Sequence, residues 1–122
     1  MIQGGPSSAI FFENINTSAA SPRNVVDNFG TIQLVPVGSV NPVTGGQAVG
    51  SFGNVGIDFI NEPGAQVIGN LDLQGGDDHV TLNPHSRITG DLNGGGGSNT
   101  LTLNAIANSS DTFSASSITS RR

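Results

Sequence analysis

The sequence predicts an all-β protein, a right-handed parallel β-helix (β-solenoid) with coils of about 21 residues and roughly five turns. The first observation behind this is a repeat. Residues 67–86 laid over 88–107 without a gap match at seven of twenty positions: Gly69 with Gly90, Leu71 with Leu92, Gly75 and Gly76 with Gly96 and Gly97, and Thr81, Leu82 and Asn83 with Thr102, Leu103 and Asn104. The second is alternation. Leu71-Asp72-Leu73, Val80-Thr81-Leu82 and Leu101-Thr102-Leu103 place apolar side chains on one face and Asp72, Thr81 and Thr102 on the other, as a half-buried strand requires. The third is composition: 18 glycines and only 34% hydrophobic residues suit a thin core with many turns better than a helical bundle.

In chain order, residues 1–22 form an N-terminal segment whose apolar cluster, Ile10-Phe11-Phe12, is expected to cap the first turn or act as an assembly arm. Residues 23–107 are expected to form the solenoid. Asn28-Phe29-Gly30-Thr31-Ile32 and Ile57-Asp58-Phe59 echo the repeat more faintly, and the Gly-rich stretch 41–56 reads as an excursion from it. Residues 108–122 are rich in Ser and Thr and read as a tail or a last partial coil, with Phe113 and Ile118 available to extend the column. Five turns stacked about 4.8 Å apart make a column of only ~25 Å, so its ends matter. An uncapped end exposes unpaired N–H and C=O groups and an open layer of apolar side chains. Ile10, Phe11, Phe12, Phe113 and Ile118 are therefore the candidate self-association residues.

Several classes are set aside. Four Lys+Arg against nine Asp+Glu give a net charge of −5, with no basic cluster for a nucleic-acid groove. With no Cys, disulfide scaffolds, thiolate zinc sites and thiol catalysis fall together. No apolar run approaches the roughly 18 residues of a membrane-spanning helix, so membrane insertion is not expected. The N-terminus lacks the basic and apolar regions of a secretory signal, which implies a mature piece or another export route.

The run Gly69-Asn70-Leu71-Asp72-Leu73-Gln74-Gly75-Gly76-Asp77-Asp78-His79-Val80-Thr81-Leu82-Asn83, followed by Ile88-Thr89-Gly90-Asp91-Leu92 and Gly94 to Leu103, resembles the β-helical passenger regions of bacterial autotransporters. Asn28 to Ile32 and Ile57 to Asn61 are similar to rungs of that family, so the resemblance covers roughly residues 25–107. It implies a surface-exposed or secreted bacterial protein, commonly an adhesin or biofilm component. The chain departs from an intact member in having neither a signal segment nor a C-terminal membrane barrel, and the expected forms are a processed passenger, a fragment or a short stand-alone subunit.

Candidate sites are few. Gly94 to Thr102 is similar to the calcium-binding nonapeptide of repeats-in-toxin proteins, with Asn99 where that family has Asp, and the preceding repeat places Asp78 at the matching position. Asp77, Asp78 and Asn99 are thus the candidate calcium ligands, although calcium needs six to eight oxygens. The plainer role of these glycines is to turn a corner, with the acids capping turn amides. No other cofactor is expected. Asn83 and Asn104, with Asn61 as a further member, are expected to hydrogen-bond along a ladder beside the stacked pair Thr81 and Thr102. Asp72, Asp77 and Asp78 could serve as sugar-cleaving carboxylates, which must flank a scissile bond, but Asn93, Ser98 and Asn99 replace them one repeat later. His79 and His85 read as surface histidines.

The expected function is that of a non-enzymatic, extracellular or cell-surface structural protein, a homo-oligomer or end-to-end filament in a bacterial surface fibre or biofilm matrix. The alternatives are an adhesin fragment binding a host or surface glycan through its loops, residues 41–56 above all, and, more weakly, a polysaccharide-acting enzyme.

Overall fold

The structure, a computed structural model, describes residues 2–4, 8–14, 23–34, 46–105 and 118–119. Among these the chain is all β, with no helix. The strands in chain order are β1 (Ile2–Gly4), β2 (Ser8–Asn14), β3 (Asn24–Asn28), β4 (Thr31–Leu34), β5 (Gln47–Gly53), β6 (Ile57–Asn61), β7 (Gln66–Ile68), β8 (Asn70–Asp72), β9 (His79–Leu82), β10 (Arg87–Ile88), β11 (Leu92–Asn93), β12 (Thr100–Leu103) and β13 (Ile118–Thr119). They form three sheets. Sheet A has the order β1-β4-β7-β10, sheet B β2-β5-β8-β11-β13, and sheet C β3-β6-β9-β12. Every pairing is parallel. The chain visits sheets A, B and C in turn four times, making four three-strand layers, and then returns to sheet B with β13.

Alternation within each strand becomes a column of like residues across each sheet. In sheet A, Ile32, Val67 and Ile88 stand in register. In sheet B the column is Ile10, Val49, Leu71 and Leu92, and in sheet C it is Val26, Phe59, Val80 and Leu101. These residues make up most of the hydrophobic core of the described residues, with Ile10, Phe12 and Leu101 partly buried at its margins. Between neighbouring layers the backbone bonds continue through the corners, for example from Asn83 N to Asn61 O and from Thr100 N to Asp78 O. The corners as well as the strands therefore pair backbone groups between layers.

The spacing of the sequence repeat holds from β6 upward, where Phe59 pairs with Val80 and Val80 with Leu101. Lower in the stack the layers are longer: Asn24 pairs with Ile57, Thr31 with Gln66 and Ser8 with Gln47. The N-terminal cluster is a strand of sheet B, in which Ile10 and Phe12 pack on the core and Phe11 is 53% exposed. The expected excursion over 41–56 is corrected in its second half, since Gln47–Gly53 is a seven-residue strand in the interior of sheet B. A register shift between Gln47 and Val49 puts Ala48 and Val49 inside together, which interrupts the two-residue period that would have revealed the strand. Residues 41–45 and Phe113 lie outside the described residues.

Leu71, Leu82 and Leu92 are buried as expected, whereas Leu103 is 49% exposed. Leu103 stands in register above Leu82, and β12 is the outermost described strand of sheet C. Leu82→Asp should therefore cost upward of about 4 kcal/mol and unfold the chain. Leu103→Asp should cost only about 1 kcal/mol. Urea denaturation of the two variants checks this, and equal losses would show that the uppermost layer is covered.

Candidate functional site

Chemistry-bearing residues gather at the corner between sheets B and C, where residues 73–78 and 94–99 turn the chain in successive layers. The backbone conformation repeats even where the residue does not. Gln74 has φ 64° and Gly95, its counterpart in the next layer, has φ 63°. The Gln74 carbonyl accepts from Gly96 N at 2.7 Å, which ties the two turns together. At the corner between sheets C and A the same thing occurs, with Gly64 at φ 76° and His85 at φ 62°.

The three residues expected as calcium ligands have distinct roles in this corner. Asp77 Oδ1 accepts from Ser98 N at 2.8 Å, one layer above. Asn99 Oδ1 accepts from Asp78 N at 3.0 Å, one layer below, and Asn99 Nδ2 donates to the Gly94 and Gly95 carbonyls at 2.9 and 3.2 Å. Asp78 repeats that geometry one layer down: its Oδ1 accepts from Ile57 N at 2.8 Å. Asp78 is only 1% exposed, and its Oδ2 is buried with no hydrogen-bond partner. Burial pushes the Asp78 carboxyl up from 3.8 to about 7, with Asp77 and Asp58 adding to the shift and the Ile57 amide and the Arg23 guanidinium opposing it. A cavity of about 70 Å³, lined by Asp78, Asn99, Leu73, Leu92 and Leu101 among others, lies beside it. Among the described residues, no three His, Cys, Asp or Glu side chains come together as a metal site.

The remaining acids and histidines are dispersed. On the outer face of sheet B, Asp72 accepts from Gln47 Nε2 at 2.7 Å, Gln74 Nε2 at 3.0 Å and Asn93 Nδ2 at 3.2 Å. Asp72, Asp77 and Asp78 thus occupy an outer face, an exposed turn and the core. On sheet C, Asp58 Oδ1 lies 2.7 Å from Arg23 Nε and 3.2 Å from His79 Nδ1. His85 is exposed at its own corner.

The expected side-chain ladder is present with one change of membership. Asn104 Nδ2 donates to Asn83 Oδ1 at 2.9 Å, and Asn83 Nδ2 donates to Glu62 Oε2 at 3.0 Å, so Glu62 takes the place expected for Asn61. Asn61 pairs with Leu82 in register and faces inward, where it accepts from Asn28 Nδ2 at 2.7 Å and donates to the Ala65 carbonyl at 3.1 Å. Sequence reasoning misses this second, buried ladder. Its signal is the inward parity of Val26-Asp27-Asn28 and Phe59-Ile60-Asn61. Thr81 and Thr102 are paired neighbours, as expected. Of the candidate self-association residues, Phe11 is the exposed one among those whose side chains are described, and Ile118 pairs with Leu92 through β13.

No protein-family model matches this chain, and neither the curated proteins nor the solved structures searched contain a match to it.

The two left-handed corners set up a contrast. A Cβ at position 64 meets nothing within 4 Å, whereas at position 95 it collides with the Gln74 carbonyl. Gly64→Ala should cost about 1 kcal/mol, the conformational term alone. Gly95→Ala should cost at least about 3 kcal/mol, because the turns of two layers must separate. Thermal denaturation of both variants reads the difference, and equal losses would mean that the two turns are not stacked.

Proposed function

We propose that this chain is a right-handed parallel β-solenoid acting as a non-enzymatic structural protein, which associates end to end with copies of itself in an extracellular or bacterial cell-surface fibre or matrix. The winding is supported by the cyclic order of the three sheets, since a chain that returns to each sheet beside its previous strand is most simply wound about one axis. The right hand follows from the strong preference of parallel crossovers. The self-association rests on one observation above the others. Leu103 stands at the head of an inward column yet is 49% exposed, on a strand that is outermost among the described strands of sheet C. A parallel edge bearing an apolar inward row is a template for another strand.

A second role, glycan adhesion, has its own support on the outer face of sheet B. Phe11 and Phe52 are 53% and 58% exposed on the adjacent strands β2 and β5, beside the amide and carboxylate row of Gln47, Asp72, Gln74 and Asn93. Flat apolar rings next to planar polar groups are suited to the two faces of a sugar.

Negative-stain electron microscopy and sedimentation over a hundredfold range of concentration test the first role. Filaments or concentration-dependent oligomers are expected, and Leu103→Asp should abolish them while leaving the fold intact. A monomer at every concentration that binds glycans through Phe52 would overturn end-to-end assembly in favour of adhesion.

A further inference from the structure

The two edges of sheet C, β3 below and β12 above, are built differently. Register carries each residue of one edge to a counterpart on the other: Val26 to Leu101 and Asn28 to Leu103 on the inward side, Val25 to Thr100 and Asp27 to Thr102 on the outward side. The lower edge is guarded. Val26 and Asn28 are buried, and Asn28 is bonded within its own chain to Asn61 Oδ1, the Gln66 carbonyl and the Gly30 amide. Asp27 places an exposed charge in the middle of the strand. Such features keep an edge from pairing with another chain. The upper edge has none of them: β12 reads Thr100-Leu101-Thr102-Leu103, with Leu103 half exposed, and residues 92–104 contain no Asp, Glu, Lys, Arg or His. The other outermost described strands at this end, β10 and β13, are only two residues long, which leaves β12 as the long open edge.

We propose that β12 pairs antiparallel with β12 of a second copy, about a two-fold axis through Thr102, so that the end-to-end association on which this inference rests joins upper end to upper end. Backbone and side chains select the same register. The Thr100 and Asn104 amides donate to the Asp78 and Leu82 carbonyls in the layer below. Alternate residues of β12 therefore face β9, and the N–H and C=O groups of Leu101 and Leu103 face the open side. In an antiparallel pair centred on Thr102, Leu101 of each copy lies opposite Leu103 of the other, and the two exchange both backbone bonds. The same centre sets the leucines of both copies against one another on the inward face, where Leu103 gains the cover it lacks.

Charge selects a second copy as the occupant. The chain carries a net charge of −5, so two copies repel wherever their acids approach, and the uncharged stretch 92–104 meets its own counterpart without that cost. Head-to-tail stacking would instead bring β3 onto β12, with Asp27 over Thr102 and Asn28, whose bonds are already made, over Leu103. The upper-end pair is closed, because it uses the open edge of both copies, and a longer fibre is then built from pairs through another face.

The test uses two exposed threonines of one strand in the full chain. Thr102→Cys places two thiols at facing positions that are not hydrogen-bonded, with Cα atoms about 4.5 Å apart, within the span of a disulfide. In Thr100→Cys the same pairing leaves the two thiols four residues out of register, about 13 Å apart along the strands. Under mild oxidation Thr102→Cys should form covalent dimers at least about tenfold faster than Thr100→Cys. Thr102→Lys, which sets two like charges face to face, should raise the dissociation constant of the dimer about tenfold or more in sedimentation while leaving thermal melting of the monomer nearly unchanged. Equal oxidation rates in the two cysteine variants would overturn the two-fold pair. So would preferential heterodimers from a mixture of Thr100→Cys with Val25→Cys, its lower-edge counterpart, and that result would leave head-to-tail association standing. A wild type that stays monomeric at every concentration would remove both the pair and the end-to-end reading.

Discussion

The constraint on which the structure depends is registration between parallel strands. Once Val80 is fixed above Phe59 and Leu101 above Val80, the neighbouring residues of β6, β9 and β12 have their partners set by position. Hydrogen bonding then runs along the stack instead of within one compact element. A core one side chain deep suffices under that arrangement, because each buried Val, Ile or Leu packs against its counterparts above and below as well as across the interior. This is why a chain that is only 34% hydrophobic can bury a continuous cluster of thirteen residues.

The same constraint governs the corners. A turn that stacks on another must copy its backbone, and the copied conformation is left-handed at both Gln74 and Gly95, and at both Gly64 and His85. Residue type varies where the backbone does not, so two of these positions carry the conformational cost that glycine avoids. Registration also forces polar side chains into repeated roles. Asn28 with Asn61, Asn83 with Asn104, and Asp78 with Asn99 each occupy matched places, and the last pair differs in the one atom that decides whether the inner group donates or accepts.

Much of this is legible in the sequence wherever the repeat is unbroken. The ungapped repeat aligns Leu71 with Leu92 and Thr81 with Thr102, and these pairs are neighbours in the structure. It fails where extra residues change the spacing. Asn24 and Ile57 are partners although the chain between them is much longer than one repeat, and β5 is hidden by two glycines and a bulge. Residue type aligns Asn61 with Asn83, but the hydrogen-bond register places it with Leu82, which moves it from the outer ladder to the core. At the candidate site, the nonapeptide likeness locates the corner where the polar groups gather and assigns it a metal. The burial of Asp78 is not legible, because Asp77-Asp78 between glycines and His79 has the composition of a solvated turn. Only parity with Val80 and Leu82 places the second acid inside.

The proposed structural role, the proposed assembly through open strand edges and the proposed wound axis all presuppose that equivalent residues of the last two layers lie side by side. The absence of cysteine from the sequence makes this directly measurable. In Thr81→Cys with Thr102→Cys, the two Cα atoms should be separated by about the 4.8 Å of neighbouring strands, within the range a disulfide spans. Mild oxidation of the dilute protein should close that bond within single molecules much faster than in Thr81→Cys with Leu101→Cys, whose second thiol points into the core. Equal rates in the two pairs, or a bond formed only between molecules, would contradict in-register parallel stacking.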